Sequence, residues 1–151
     1  PSLESYSRAS YLREIYGDYP GAIQAMKMAV EAGLPGSEPQ SWSRATLAYL
    51  YEKTGQLDKA EAEYNTVLEM RPSYAFAMRG QARVHALRKD NDKALALLQQ
   101  AARVMPEFSF YEEMADIYAA QGNAAKAQET YGEVVKMLGE DAASGHTVNL
   151  E

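Results

Sequence analysis

The 151-residue sequence has no cysteine, only two histidines and no long apolar run. Without cysteine the chain forms no disulfide scaffold and no thiolate metal site. His85 and His146 lie far apart in the sequence, and the carboxylates are scattered, so we expect no metal site and no cofactor. Because the apolar runs are only a few residues long, we also expect no membrane insertion.

Positive charge is scarce as well. The chain has 15 Lys and Arg against 21 Asp and Glu, which gives a net charge of −6. This field repels nucleic acid, and no basic stripe runs along the sequence, so we expect no nucleic-acid partner. There is no glycine-rich phosphate loop and no other enzyme signature, which argues against catalysis. Hydrophobic residues, at 46%, suffice for the core of one ordinary domain.

The sequence does contain a repeat. Residues 58–72 are DKAEAEYNTVLEMRP, and residues 92–106 are DKALALLQQAARVMP. Ala60 and Ala94 are 34 residues apart, Ala127 follows after 33 more, and Ala22 precedes Ala60 by 38. From each alanine, apolar residues recur at positions +4, +7 and +8, which is one face of a helix. The chain is therefore predicted to carry four copies of one helical unit.

Each copy is predicted to be a helix, a short turn and a second helix. A glycine that can end a helix stands five residues before three of the alanines, and the third copy has Lys89 instead. These glycines are Gly17, Gly55 and Gly122. The residues predicted to cap the second helices are Asp18, Asp58 and Asn91. Another helical stretch lies upstream of each turn, and its apolar spacing is clearest in YEEMADIY at 111–118.

These positions resemble the tetratricopeptide repeat family. In the second unit the residues that carry the resemblance are Leu47, Ala48, Tyr51, Gly55, Ala60, Tyr64 and Pro72. In the fourth unit they are Tyr111, Met114, Ala115, Tyr118, Gly122, Ala127 and Tyr131. The resemblance covers nearly the whole chain. It implies an all-α fold, a right-handed superhelical array (an α-solenoid) of about four helix-turn-helix units.

The repeat organises residues 1–139 into a single array. The approximate units are residues 3–35, 41–72, 75–106 and 108–139. Residues 140–151 show no clear period, and they are interpreted either as a tail or as the start of a further helix that is cut short.

The first unit departs from the family pattern. Ala9, Ser10 and Arg13 stand where the family usually has Leu, Gly and Tyr. An arginine in a packing position is costly if it is buried. Either the first helix is shifted by about one residue and uses Leu12 and Tyr16, or it lies at a solvent-facing end of the array.

The resemblance also implies a function. In this family the first helices of the units line a concave groove, and the second helices form the outer wall. The chain is therefore expected to be a non-catalytic scaffold that binds a peptide segment or a partner subunit in its groove. One alternative is a structural spacer that stacks with further repeats of a longer parent. Another is a regulatory domain fused to a catalytic or DNA-binding domain outside this chain.

The groove should be lined by residues opposite the packing stripe of each first helix. The predicted groove residues are Tyr11, Trp42, Tyr49, Phe76, Arg79, Arg83, Glu112 and Asp116, with Ala45 and Glu113 beside them. Aromatic side chains dominate many binding hot spots. However, Trp42 could instead cover the turn at 34–39, and Tyr49 could pack against the neighbouring first helix.

The charged groove residues also allow two interpretations. Arg79 and Arg83 are four residues apart on one helix face, and so are Glu112 and Asp116. The two pairs could neutralise each other across the groove, or the arginines could bind an acidic partner segment.

One known binding mode of the family is not expected here. Many members hold acidic chaperone tails through a clamp of Lys, Asn and Arg on the first helices. The matching positions in this chain hold Ser7 and Tyr11, or Ala45 and Tyr49, followed by Gly80 and Glu113. We therefore predict that the chain has no carboxylate clamp for chaperone tails.

Overall fold

The computed structural model describes the backbone of residues 1–150 and the side chains of residues 1–143. Over that backbone the chain forms eight helices and no strand. The helices are α1 (Leu3–Ile15), α2 (Tyr19–Ala32), α3 (Glu38–Lys53), α4 (Leu57–Met70), α5 (Ala75–Leu87), α6 (Asn91–Val104), α7 (Phe108–Ala120) and α8 (Ala124–Leu150). Each helix packs against the next one in the chain, which confirms the predicted all-α solenoid.

A left-handed backbone position follows the first helix of every unit. Gly17, Gly55 and Gly122 have φ angles of 78°, 75° and 79°. Lys89 occupies the same place in the third unit with a φ of 63°. Glycine adopts this conformation freely because it has no Cβ, whereas Lys89 pays a steric cost there. The predicted helix ends, including the exceptional lysine, are confirmed.

The predicted helix caps are right at one of three positions. Asp18 caps α2, and its carboxylate accepts a hydrogen bond from the backbone. The predictions for Asp58 and Asn91 are wrong, because α4 begins after Gln56 and α6 begins after Asp90. Each helix starts two residues after the left-handed position, which leaves both predicted caps inside the first turn.

The repeated alanines lie where two helices of a unit cross. Ala22, Ala60, Ala94 and Ala127 are all buried, as the spacing predicts. A larger side chain at these points would push the helices apart. In addition, α3 contacts both α1 and α5, so the first helices of neighbouring units come together on one side of the array. We call this side, formed by α1, α3, α5 and α7, the first-helix face.

The first unit uses a serine where the other units use a small apolar residue. Ser10 is buried, and its hydroxyl donates a 2.7 Å hydrogen bond to the carbonyl of Ala22. Leu12 and Tyr16 are 55% and 83% exposed, so the shifted register that used them is wrong. Arg13 lies at the surface and pairs with a carboxylate, which agrees with the alternative of a solvent-facing end.

The longer connection between α2 and α3 is held by two side chains. Gln40 donates to the carbonyl of Val30 at 3.1 Å and accepts from the N–H of Gly36 at 2.9 Å. Arg71 donates to the carbonyl of Gly36 at 3.2 Å, from the connection one unit further on. The extra residues therefore form an ordered turn that links α2 and α3 to the end of α4.

The last helix is longer than the others. Residues 140–150, for which the sequence left a tail or a further helix open, continue α8 to Leu150. Residue 151 lies outside the described part of the chain. Among the helices of the described residues, none combines the length and the apolar character that a bilayer span requires.

Candidate binding groove

Two neighbouring first helices, α3 and α5, provide most of the lining of an open cavity of about 240 Å³ on the first-helix face. We call it the aromatic cavity. Its lining residues are Trp42, Ala45, Thr46, Tyr49, Tyr64, Tyr74, Phe76, Arg79 and Arg83. Five of the eight predicted groove residues thus line one cavity. Trp42 and Phe76 both line this cavity, and they occupy equivalent positions of the second and third units because they are one repeat apart.

The aromatic side chains of this cavity remain accessible. Trp42, Tyr49 and Phe76 are 46%, 39% and 50% exposed, respectively. Tyr74 packs edge to face against Phe76, with ring centroids 6.1 Å apart. Tyr49 is also contacted by the neighbouring first helix, since the guanidinium of Arg83 lies 5.5 Å from its ring centroid. The cavity therefore exposes apolar surface, and contacts with Tyr74 and Arg83 restrain two of its aromatic rings, those of Phe76 and Tyr49.

Arg83 is held by residues of the preceding unit. Its Nε and Nη2 donate to the carboxylate of Glu52 at 3.1 and 3.3 Å, and Nη2 also lies 3.2 Å from the hydroxyl of Tyr64. The Tyr64 hydroxyl donates to Glu52 as well. The Glu52 side chain is only 6% exposed, so these bonds compensate a nearly buried charge. Arg83 thus joins three helices, α3, α4 and α5, at the floor of the cavity.

The ring of Tyr64 packs against the backbone of Gly80. A Cβ at Gly80 would lie 2.1 Å from the tyrosine ring, which only glycine avoids. Burial raises the pKa of Tyr64 well above its ordinary value, and the nearby Glu52 carboxylate raises it further. The tyrosine therefore stays protonated and acts as a donor in the network.

Arg79 has a separate partner. It pairs with Glu113 on α7 at 2.8 Å, and its guanidinium lies 5.6 Å from the ring centroid of Phe110. Of the two interpretations of these charges, the neutralisation of both arginines by Glu112 and Asp116 is therefore wrong. The arginines reach partners on two different helices: Arg79 reaches Glu113 in the unit that follows, and Arg83 turns back to the unit that precedes.

Glu112 and Asp116 lie on the exposed side of α7. Asp116 accepts a hydrogen bond from the hydroxyl of Tyr131 on α8, and this bond raises the pKa of the tyrosine. Among the described side chains, no cation lies within ion-pairing distance of Asp116. The carboxylate charge is therefore not neutralised by a lysine or arginine of this part of the chain.

Asp116 lines a second cavity, of about 180 Å³, between α5 and α7. We call it the aliphatic cavity. Its lining residues are Ala82, Arg83, Ala86, Leu98, Glu113, Asp116 and Ile117. Tyr11 lines neither cavity and is exposed on α1. The structure thus brings Trp42, Tyr49, Phe76, Arg79 and Arg83 together, places Asp116 in the adjacent cavity, and leaves Tyr11 and Glu112 outside both.

Sequence reasoning missed several residues that shape the aromatic cavity. Tyr64 lines the cavity although its helix position predicts packing between helices, and no helical spacing points to Glu52, which holds Arg83. Tyr74 precedes α5, so the helical periodicity of the first helices could not select it. Within the described residues, no group of three or more histidine or acidic side chains is arranged to hold a metal ion.

Two sequence models described as tetratricopeptide repeat match the chain. One covers residues 46–109 and the other covers residues 108–137, so that together they span more than half of the sequence. No curated protein matches the chain.

Several solved structures share the fold. BtubC (BKLC) from P. vanneervenii superposes with a TM-score of 0.80 at 16% identity, over 93% of this chain and 64% of that one. MamA (41-end) from Desulfovibrio magneticus RS-1 has a TM-score of 0.74 at 14% identity, over 92% and 77% of the two chains. The first TPR of Spaghetti (RPAP3), bound to the HSP90 peptide SRMEEVD, has a TM-score of 0.69 at 16% identity, over 80% and 94%. At these identities the likeness shows the fold alone.

The sequence matches, the repeated helix pairs and the buried crossing alanines agree with one another. Repeat arrays of this kind present extended binding surfaces. The chain belongs to the tetratricopeptide repeat family and is a non-catalytic protein-interaction module.

Proposed function

We propose that the chain is a scaffold that holds a segment of a partner protein along its first-helix face, with one apolar side chain of the partner in the aromatic cavity. The observation that carries this proposal is the exposure of Trp42, Tyr49 and Phe76 around a single cavity. Aromatic side chains supply large contact areas at little entropic cost, and they are enriched among binding hot spots.

The size of the cavity favours a side chain over a free small molecule. Its volume of about 240 Å³ lies below the ~300–1,000 Å³ of drug-sized ligand pockets. A protein segment needs only a small pocket for one anchor, because its other contacts spread over the surrounding surface. The partner is therefore expected to contribute a single bulky apolar residue at this point.

An acidic group of the partner is expected beside this anchor. Arg79 and Arg83 are the charged residues of the cavity lining, and their glutamate partners lie outside it. A guanidinium has five N–H donors, and the contacts of Arg79 with Glu113 use Nε and Nη2. Nη1 of Arg79 is therefore available to a carboxylate, and so is Nη1 of Arg83, whose contacts with Glu52 and Tyr64 also use Nε and Nη2.

The proposed mode differs from recognition of a chaperone tail. The structure that contains Spaghetti (RPAP3) holds the acidic HSP90 peptide SRMEEVD. In this chain the positions matched to the clamp include Ala45, Tyr49 and Gly80, which carry no positive charge. We therefore propose that apolar contact dominates recognition and that the acidic group is secondary.

The test is a comparison of captured partners from a lysate of the source organism. Purified wild type, Trp42→Ala and Phe76→Ala are used as baits, and bound proteins are quantified by mass spectrometry. The matched control is Tyr16→Ala, because Tyr16 is an exposed aromatic residue outside the aromatic cavity. We expect the same partner to be lost with both cavity variants and retained with the control. Identical partner sets for all four baits would rule out the cavity as the binding site.

A spacer function is the second candidate. Leu12 and Tyr16 on α1 and Val135 on α8 leave apolar surface exposed at both ends of the array. In repeat arrays such surface is normally covered by the next repeat. Under this alternative, substitutions in the aromatic cavity leave all associations unchanged, whereas Val135→Asp weakens them.

A further inference from the structure

The two cavities of the first-helix face are adjacent and share a wall. Arg83 lines both of them, and the ion pair between Arg79 and Glu113 bridges α5 and α7 beside that wall. A partner segment that enters the aromatic cavity and continues along the array therefore meets the aliphatic cavity next.

The charge of the lining changes sign between the cavities. Arginines are the charged residues of the aromatic cavity, whereas the aliphatic cavity adds Glu113 and Asp116. Glu113 is already paired with Arg79. Asp116 has no cation within ion-pairing distance among the described side chains, and Glu112 lies exposed one turn before it. The uncompensated charge at the second cavity is therefore negative.

The floor of the aliphatic cavity is apolar. Ala82 and Leu98 are buried beneath it, and Ala86 and Ile117 are partly buried at its sides. An apolar surface beside a carboxylate that has no cationic partner among the described side chains is complementary to an aliphatic side chain that has a lysine or arginine next to it. A volume of about 180 Å³ again fits one side chain better than a drug-sized molecule, which takes roughly 300 Å³ or more.

From this arrangement, which rests on the function proposed above, we infer that the partner is a two-anchor segment with a fixed order of charge. Its first apolar anchor, beside an acidic residue, enters the aromatic cavity. Its second anchor, aliphatic and beside a lysine or arginine, enters the aliphatic cavity. The order follows from the positions of Arg79 and Asp116 along the array, and the reverse order places like charges together at both cavities.

The repeat also sets the spacing of the anchors. Neighbouring packed helices are roughly 8–10 Å apart, and the two cavities are one unit apart. A polyproline II segment rises about 3.1 Å per residue with three residues per turn, so anchors about three residues apart fit. An α-helical segment rises about 1.5 Å per residue, so anchors about seven residues apart fit. Either spacing puts both anchors on the same side of the partner segment.

The experiment is selection of a random peptide library, displayed on phage, on the intact chain. Clones that also bind Trp42→Ala are removed, and the remaining sequences are aligned on their apolar residues. We expect an acidic residue near the first apolar position and a lysine or arginine near the second, at one of the two spacings. The selection is then repeated on Asp116→Lys, which should replace the basic preference at the second position with an acidic one and leave the first position unchanged.

A matched control keeps the change in net charge constant. Glu31 is exposed on α2 and lines neither cavity, so Glu31→Lys should select the same sequences as wild type. For one selected peptide, fluorescence anisotropy should give an affinity about five- to tenfold weaker for Asp116→Lys than for Glu31→Lys, since an exposed attraction is replaced by a repulsion. Thermal melting checks that both variants are folded.

The outcomes separate this inference from the function on which it rests. If no peptide depends on Trp42, the proposed function fails. If peptides depend on Trp42 but carry no basic residue at the second position, or keep it on Asp116→Lys, the charge order is wrong and the function stands. Selected peptides whose basic preference reverses only with Asp116→Lys support both.

Discussion

Replacing Arg83 with alanine tests whether the joint between the second and third units depends on a buried charge. Arg83 donates two hydrogen bonds to the Glu52 carboxylate, whose side chain is only 6% exposed. The substitution leaves this carboxylate with the Tyr64 hydroxyl as its remaining partner among the contacts of the network. A charge that stays buried without its counter-charge destabilises the folded state.

The expected loss of unfolding free energy depends on whether water can hydrate the Glu52 carboxylate once the guanidinium is removed. Hydrogen bonds to charged groups contribute about 1.5–3 kcal/mol, and breaking a fully buried ion pair costs about 3–5 kcal/mol. The Arg83 side chain is 32% exposed, so water reaches the site once it is removed, and the lower range applies. We expect the free energy of unfolding to fall by about 2 kcal/mol. For a chain of this size that lowers Tm by roughly 4–8 °C.

The assay is thermal and urea unfolding followed by circular dichroism. Arg79→Ala is the matched control, because Arg79 and Glu113 are both about a quarter exposed and such pairs contribute roughly 0–1 kcal/mol. Glu52→Gln in the Arg83→Ala background removes the buried charge and should restore part of the lost stability. If Arg83→Ala lowers Tm no further than Arg79→Ala, the argument for a buried ionic joint is refuted.

Three further predictions concern other parts of the fold. Lys89→Gly should raise the free energy of unfolding by about 1 kcal/mol, because it removes a left-handed lysine; Lys89→Ala should give no such gain, and urea unfolding measures both. Ala127→Leu should overpack the last helix crossing and cost about 1–3 kcal/mol, so an unchanged Tm would show that the crossing is loose. Burial raises the pKa of Tyr74 from its ordinary value of 10.0 to about 12, and the nearby Glu38 carboxylate contributes to this shift. The unfolded chain therefore loses this proton first, stability falls as the pH rises from 10 towards 12, and the fall should be smaller in Tyr74→Phe.

The parts of the fold that were predictable from sequence depend on local rules that recur. A glycine five residues before three of the four crossing alanines marks the helix end, and the same spacing identifies Lys89 as the exception that the structure confirms. The caps were less predictable. Asp58 and Asn91 are good capping residues by type, but the left-handed turn sets the helix start one or two residues earlier.

The ionic contacts of the groove could not be predicted in the same way. Helical spacing places Arg79 and Arg83 on one face, but it does not say which neighbouring helix each long side chain reaches. Glu52 precedes Arg83 by nearly one repeat and packs beside Tyr64, a residue that the pattern assigned to the core. Which residue pairs with Glu52 depends on how the second and third units stack, and local helical spacing does not determine this packing.

The array keeps the residues that pack and varies those that face the groove. Ala48, Ala82 and Ala115 occupy equivalent positions on three first helices, and all are buried. One residue further along, the same helices carry Tyr49, Arg83 and Asp116, respectively. The small residue is required wherever two helices cross, whereas the next position accepts an aromatic, basic or acidic side chain, even though Arg83 at this position also joins two units through Glu52. The change in chemistry along the groove therefore arises at positions that accept side chains of different type, and it is at those positions that a partner can be distinguished from its competitors.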